Sequence, residues 1–334
     1  MSGHITAGDV DSIKAVREIT YGVIPQTDAS YYADLKGDGG SFTPAANMNQ
    51  YVGWRSGSRS PSRLDMVNQS IDAGYSATEE LAADKTKLLE LLEYALGSQE
   101  GTTDLAPLPS RTTRLYVNGT AASSGTVAYG TEMTFPGCKT DRLVIKADQP
   151  GGIVEFQETV MAKDVYLVGA NAPSRTPGNL PAFQWVGGVI RNNSVTIYPQ
   201  RFELSINNNL GRVKGVYQHG EEVRSGTVQL VEGKREMEFS MDVWLEDVYY
   251  QYGSVWMGEN GMETYTFDIG NLFHGIPEEE FITLKLTTER IMDGSEHALI
   301  QDKQMATLRY RVISIEVIDP SATTNSPTAS STTE

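Results

Sequence analysis

The chain has 334 residues, with 27 Lys and Arg against 43 Asp and Glu, for a formal charge of −16. A chain this acidic is a poor candidate for gripping phosphate backbones, because such a grip needs a cationic face. The 39% hydrophobic content excludes wholesale disorder, and the single cysteine, Cys138, excludes an intramolecular disulfide framework and a cysteine-rich zinc site.

The N-terminus, MSGHITAGDVDS, has no apolar h-region, so no secretory leader is expected, and folding is placed in a reducing cytoplasm. No run of about 18 apolar residues exists, so no membrane span is expected. Residues 1–75 read as an N-terminal arm and loops. Lys36-Gly37-Asp38-Gly39-Gly40-Ser41 and the stretch from Arg55 to Arg63 are polar and rich in turn formers. Arg55, Arg59 and Arg63 recur every four residues, but Ser, Gly and Pro between them argue for a loop. They fit either a solvated arm or an arm that pairs with acidic patches on a neighbouring copy.

A helix is predicted over 78–96. Leu81, Leu88, Leu89, Leu92 and Leu96 form one apolar stripe, and Gly97 stands where a C-terminal cap belongs. A shorter helix is predicted at 245–250. Elsewhere period-two alternation dominates. In Glu236-Met237-Glu238-Phe239-Ser240-Met241-Asp242-Val243 the apolar residues take one face and Glu236, Glu238 and Asp242 the other. Residues 201–207 and 308–312 alternate likewise. Further strands are predicted at 113–117, 126–135, 142–147, 153–161, 263–269 and 282–289. This pattern means antiparallel sheets with one packed and one wet face, so the fold class is mainly β, an antiparallel sandwich or barrel with a flanking helix. A strand–helix–strand series at 76–185 is echoed at 186–320, which raises a duplication within the chain. The last 14 residues, 321–334, hold nine Ser or Thr and read as a disordered tail.

Catalytic signatures are missing. His4, His219, His274 and His297 lack metal-ligand spacing, and no nucleophile elbow, phosphate loop or dinucleotide fingerprint occurs. Cys138 follows Pro136-Gly137 at the start of a strand and reads as a small, half-buried apolar side chain. No enzyme, metal or cofactor is expected.

Residues 134–165 resemble the tail tube (major tail) proteins of long-tailed phages and related archaeal viruses. The likeness rests on the Gly137-Cys138 turn, the alternating strand after it, the Gly151-Gly152 hairpin and a second strand ending at Ala162-Lys163. Residues 201–210, the 51–59 arm and the helix end Tyr94-Ala95-Leu96-Gly97 resemble the family too, and the likeness covers roughly 50–320.

The resemblance implies a structural virion protein, made in the host cytoplasm, that forms rings stacked into a hollow tube. Each ring would hold three chains if the chain is duplicated and six if it is not. Expected partners are other copies, a tape measure protein, tail-end proteins and viral DNA in transit without specific binding. Loops and arms such as 36–63, with Arg55, Arg59 and Arg63, would bridge rings. A DNA conduit must not hold its cargo, so the Glu236, Glu238 and Asp242 face is a candidate channel lining, against an ordinary outer solvated face. Competing readings are an adaptor, terminator or decoration protein, and a carbohydrate-binding sandwich using Trp54, Trp185, Trp244 or Trp256.

Overall fold

The computed structural model describes residues 10–25, 41–49, 70–79, 85–97, 101–102, 107–117, 129–171, 183–185, 190–192, 195–219, 222–244, 264–269, 283–290, 297–300 and 303–318. In chain order the elements are β1 (Val10–Arg17), β2 (Ser41–Asn49), β3 (Ser70–Glu79), α1 (Lys85–Leu96), β4 (Gly101–Thr102), β5 (Arg111–Val117), β6 (Tyr129–Ala147), β7 (Glu155–Ala162), β8 (Tyr166–Asn171), β9 (Ile190–Asn192), β10 (Val195–Ile197), β11 (Arg201–Asn207), β12 (Gly211–His219), β13 (Glu222–Val231), β14 (Glu236–Trp244), β15 (Thr264–Ile269), β16 (Thr283–Arg290), β17 (His297–Ile300) and β18 (Lys303–Ile318). The fold is mainly antiparallel β with a flanking helix, as the alternation predicts. Among the described strands, the short contact of β13 with β3 is the parallel exception.

Two sheets share β6. The smaller runs β1-β5-β6-β8 and uses the first half of β6. The larger runs β2-β3-β7-β6-β11-β14-β18-β16-β15-β9-β10 and uses the second half. Strands of 76–185 and of 186–320 thus meet in one sheet at the β6–β11 pairing.

The sequence predicts two strands at 126–135 and 142–147 with a turn between. The structure makes them one bent strand of 19 residues. The bend falls at Pro136-Gly137-Cys138, where Gly137 has a φ of +66°. A side chain at Gly137 would meet Lys163 Cβ at 2.7 Å, so only glycine lets the end of β7 come this close.

The helix starts at Lys85, not at 78, because Thr78 and Glu79 close β3 and pair with Gln157 and Phe156 of β7. Ala73, Tyr75 and Ala77 alternate inward there, a strand pattern hidden by small residues. Gly97 ends the helix as expected, with a φ of +80° and its N–H donating to Glu93 O at 2.8 Å. Leu88, Leu91, Leu92, Ala95 and Leu96 are buried, while Leu89 is half-buried and yields its predicted place to Leu91.

The first 75 residues hold more regular structure than turn-former content suggests. β1 is set by its pairing with β5, and β2 by its pairing with β3. β5 is far from β1 in sequence, so local composition does not announce that pairing. The 245–250 helix, the arginines at 55, 59 and 63, and the 321–334 tail lie outside the described residues. Among the described residues no helix is long and apolar enough to cross a membrane.

α1 covers one face of the larger sheet. Its leucines pack with Leu143, Ile145, Phe202, Leu204, Ile206, Met237, Phe239 and Met241 in one core. Trp185 closes that core edge-on to Phe202, with ring centroids 4.8 Å apart. The helix end is tied down by Asn208, whose Nδ2 donates to Ala95 O at 2.9 Å and Thr140 O at 3.0 Å. One face of the sheet is therefore spent on the helix, and the other is left for function.

Candidate functional site

The free face of the larger sheet is assembled by register. In β14, Met237, Phe239, Met241 and Val243 are buried in the core, so Glu236, Glu238, Ser240 and Asp242 stand on the opposite face. The same parity puts Arg201, Glu203, Ser205 and Asn207 of β11 there, and Thr307, Arg309 and Arg311 of β18. β6 adds Arg142 and Lys146, and β7 adds Glu155.

The pairings align these side chains in rows across the strands. One row reads Glu155, Lys146, Glu203, Ser240, Arg309. The next ends Ser205, Glu238, Arg311, Glu289. Another sets Arg201 beside Asp242 and Thr307. Directly opposed charges of opposite sign favour each other across an antiparallel pair. Thr307 Oγ1 donates to Asp242 Oδ1 at 2.7 Å, Arg201 meets Glu203 at 2.7 Å, and Lys146 meets Glu155 at 3.4 Å. The small Ser205 and Ser240 leave a cleft of about 390 Å³ between Glu203, Glu238, Asp242, Arg201 and Arg309.

The structure thus brings Glu236, Glu238 and Asp242 together on one face, and adds guanidiniums that a one-strand view does not see. On β11, β14 and β18, four carboxylates (Glu203, Glu236, Glu238, Asp242) face three arginines (Arg201, Arg309, Arg311). The face is charge-compensated rather than uniformly acidic. The alternation within 201–207 and 308–312 already placed those arginines off the core. What the sequence lacked was which strand lies beside which.

Other residues singled out earlier behave differently. Cys138 is fully buried rather than half-buried, with Sγ donating to Phe135 O at 3.2 Å. Burial pushes its thiol up to about 12, where a nucleophile would need the reverse. Trp185 is fully buried, so it offers no stacking surface to a sugar. Trp54 and Trp256, with His4 and His274, lie outside the described residues. Among the described residues no group of three or more His, Cys, Asp or Glu is placed to hold a metal.

A cluster that sequence reading missed lies between the two sheets. Arg111 meets Glu158 at 2.6 Å, and each is 4% exposed. Thr140 Oγ1 also donates to Glu158 at 2.6 Å, Arg111 reaches Tyr75 Oη at 2.9 Å, and the Tyr94 ring covers the guanidinium at 4.6 Å. Desolvation raises the Tyr75 phenol well above its ordinary value. The signal was a carboxylate at an inward position of β7, between Phe156 and Val160. The cluster is sealed, so it joins sheets rather than handling a ligand.

A bent sheet with one face packed into a core and the other polar describes a wall. The family model described as phage tail tube protein matches residues 8–271. The chain belongs to that family. No curated protein matches it. Membership makes the chain a structural component of a virion tail, and it implies self-assembly into a tube.

Proposed function

We propose that this tail tube protein polymerises into rings, that stacked rings form a hollow conduit, and that viral DNA passes through it into the host cell. The observation that carries the reading is the one-sided sheet. Its apolar face packs into a core shared with α1, and its polar face sets carboxylates and guanidiniums opposite each other on neighbouring strands. That polar face, with Glu236, Glu238 and Asp242, would line the channel. A lining of balanced charge neither clings to phosphates nor builds a large repulsive field.

Among the described residues β2 pairs with β3 alone and β10 with β9 alone, so both ends of the larger sheet have an edge to offer. Edges of identical neighbours would join into a closed barrel, which removes the aggregation hazard of open strands. The arm carrying Arg55, Arg59 and Arg63 would bridge successive rings. A tape measure protein would occupy the channel during assembly, and tail-end proteins would cap it. Synthesis takes place in the host cytoplasm. A ring takes six copies if each chain supplies one lobe, and three if 76–185 and 186–320 are duplicates.

Electron microscopy of the purified full chain tests this. Long hollow tubes are expected, with Glu238 and Asp242 facing the lumen and rotational symmetry giving the copy number. Single rings would favour an adaptor, and carboxylates facing outward would end the lining assignment.

A further inference from the structure

Where β6 passes from one sheet to the other, a segment outside both ladders grips its backbone. Two register shifts flank the bend at Pro136-Gly137-Cys138. The β5 ladder slips between Arg111 and Thr113, and the β7 ladder between Thr140 and Arg142. Such slips leave backbone groups without ladder partners. The turn 18–23, just past β1, takes up one of them. Glu18 is 7% exposed and accepts three hydrogen bonds: from Gly22 N at 2.7 Å, Thr112 Oγ1 at 2.7 Å and Gly137 N at 2.8 Å. One carboxylate thus ties together the turn, β5 and the bend. Glu18 N donates to Ser110 O at 2.9 Å, and Val23 N to Thr20 O at 3.1 Å.

Ile19, Thr20 and Val23 are exposed, so the turn's hold on the bend runs through its inner side. Besides Glu18, that side presents Tyr21, whose ring lies 3.2 Å from where a β-carbon on Gly137 would stand. Beneath the bend, Cys138 is fully buried in a small core with Tyr75, Phe135 and Val160. This core is separate from the one under α1. A surface segment held by a few shared hydrogen bonds opens at a lower free energy than the whole fold. Hydrogen bonds that meet at one carboxylate also strengthen each other, so they are lost together rather than one by one.

We propose that the turn 18–23 is a clasp over the joint of the two sheets. Closed, it fixes the bend of β6; released, it opens the joint at Cys138 while the core under α1 stays folded. Glu18 is a positioning residue, since it acts on the bend through Gly137 N. Gly22 is the second requirement. Its φ of +70° lets the turn fold back so that its N–H reaches Glu18 Oε2. The clasp gives the two sheets a way to shift against each other without unfolding either. It belongs to the single subunit and stands whether or not copies assemble.

The test uses the single native cysteine of the full-length chain as reporter. Glu18→Gln keeps the shape of the side chain but sets an NH2 group against donors. A thiol reagent at pH 8 is expected to label Cys138 in this variant roughly tenfold or more faster than in the wild type. Gly22→Ala leaves the carboxylate in place and strains the turn, and is expected to speed labelling about fivefold. In both variants the rate should change little with urea below the unfolding transition, because a local opening exposes little surface. Hydrogen exchange should quicken over 18–23 and 136–138 and stay unchanged over α1. Labelling at the wild-type rate in either folded variant would overturn the inference. So would faster labelling that follows urea as steeply as global unfolding does. If Glu18→Gln fails to fold, Gly22→Ala decides alone.

Discussion

Two populations of charge coexist in this chain and do opposite work. Arg111 and Glu158 meet at 2.6 Å where the sheets join, each only 4% exposed. Lys285 and Glu316 meet at 3.1 Å on the free face, with side chains 40% and 52% exposed. The first pair has given up water and depends on its partners, Thr140 and the tyrosines, for every lost interaction. The second keeps its water and gains little from its partner. The interior charges should therefore govern whether the monomer folds. The surface rows should govern what the folded subunits do together.

The sharpest way to break that contrast is to remove one interior partner. Arg111→Met leaves Glu158 buried and uncompensated, and is expected to cost ~3–5 kcal/mol in chemical denaturation of the monomer. The double variant Arg111→Met, Glu158→Leu removes both charges and should recover much of that loss. Equal damage from the single and double variants would mean that the cluster matters for its shape, not its charge. Next in size is Asn208→Ala. It strands Ala95 O, Thr140 O and Arg235 Nε, whose bond to Asn208 Oδ1 is 2.8 Å. A loss of about 1–3 kcal/mol is expected, with the end of α1 fraying first in hydrogen exchange.

The interior population was the harder one to read in advance. Alternation in 201–207 and 236–244 placed both faces correctly, because every second residue there is large and apolar. In β3 the inward residues include Ala73 and Ala77, whose small side chains carry weak signal, so most of the strand reads as part of the N-terminal arm and its last two residues, Thr78 and Glu79, as the start of the helix. Glu158 sat at an inward position of β7, yet its neutraliser Arg111 is 47 residues away. Only the β5–β6–β7 order brings them together. The candidate lining shows the same limit. Which side each carboxylate takes is local information, whereas the arginine beside it is set by register.

Cys138 offers a gentler probe of the same interior. Burial holds its thiol neutral up to about 12, against an ordinary value of 9.0. Because the folded value is the raised one, its contribution is fully present below about 9 and is lost as pH climbs toward 12. Stability should fall across that window, and Cys138→Ala should flatten the slope by at most about 1.4 kcal/mol per pH unit. Thiol reagents at pH 8 should label the denatured chain and spare the native one. Fast native labelling would show that the junction of the sheets opens.

The smallest expected effect on folding belongs to the free face, and it tests the other half of the contrast. Glu238 lies opposite Arg311, and Arg311 opposite Glu289, so Arg311→Gln leaves two carboxylates without their shared neutraliser. Exposed pairs of this kind are worth about 0–1 kcal/mol, so the monomer should melt nearly as the wild type does. In a ring every copy repeats the change, and the unbalanced carboxylates of all copies would share one narrow channel. Assembly of Arg311→Gln should therefore weaken at low salt and recover as salt rises and screens the repulsion. Wild-type tubes, with their rows intact, should show a flatter salt response. If variant and wild type respond alike, Arg311 does not face its own copies across a common space, and the polar face belongs on the outside of the tube.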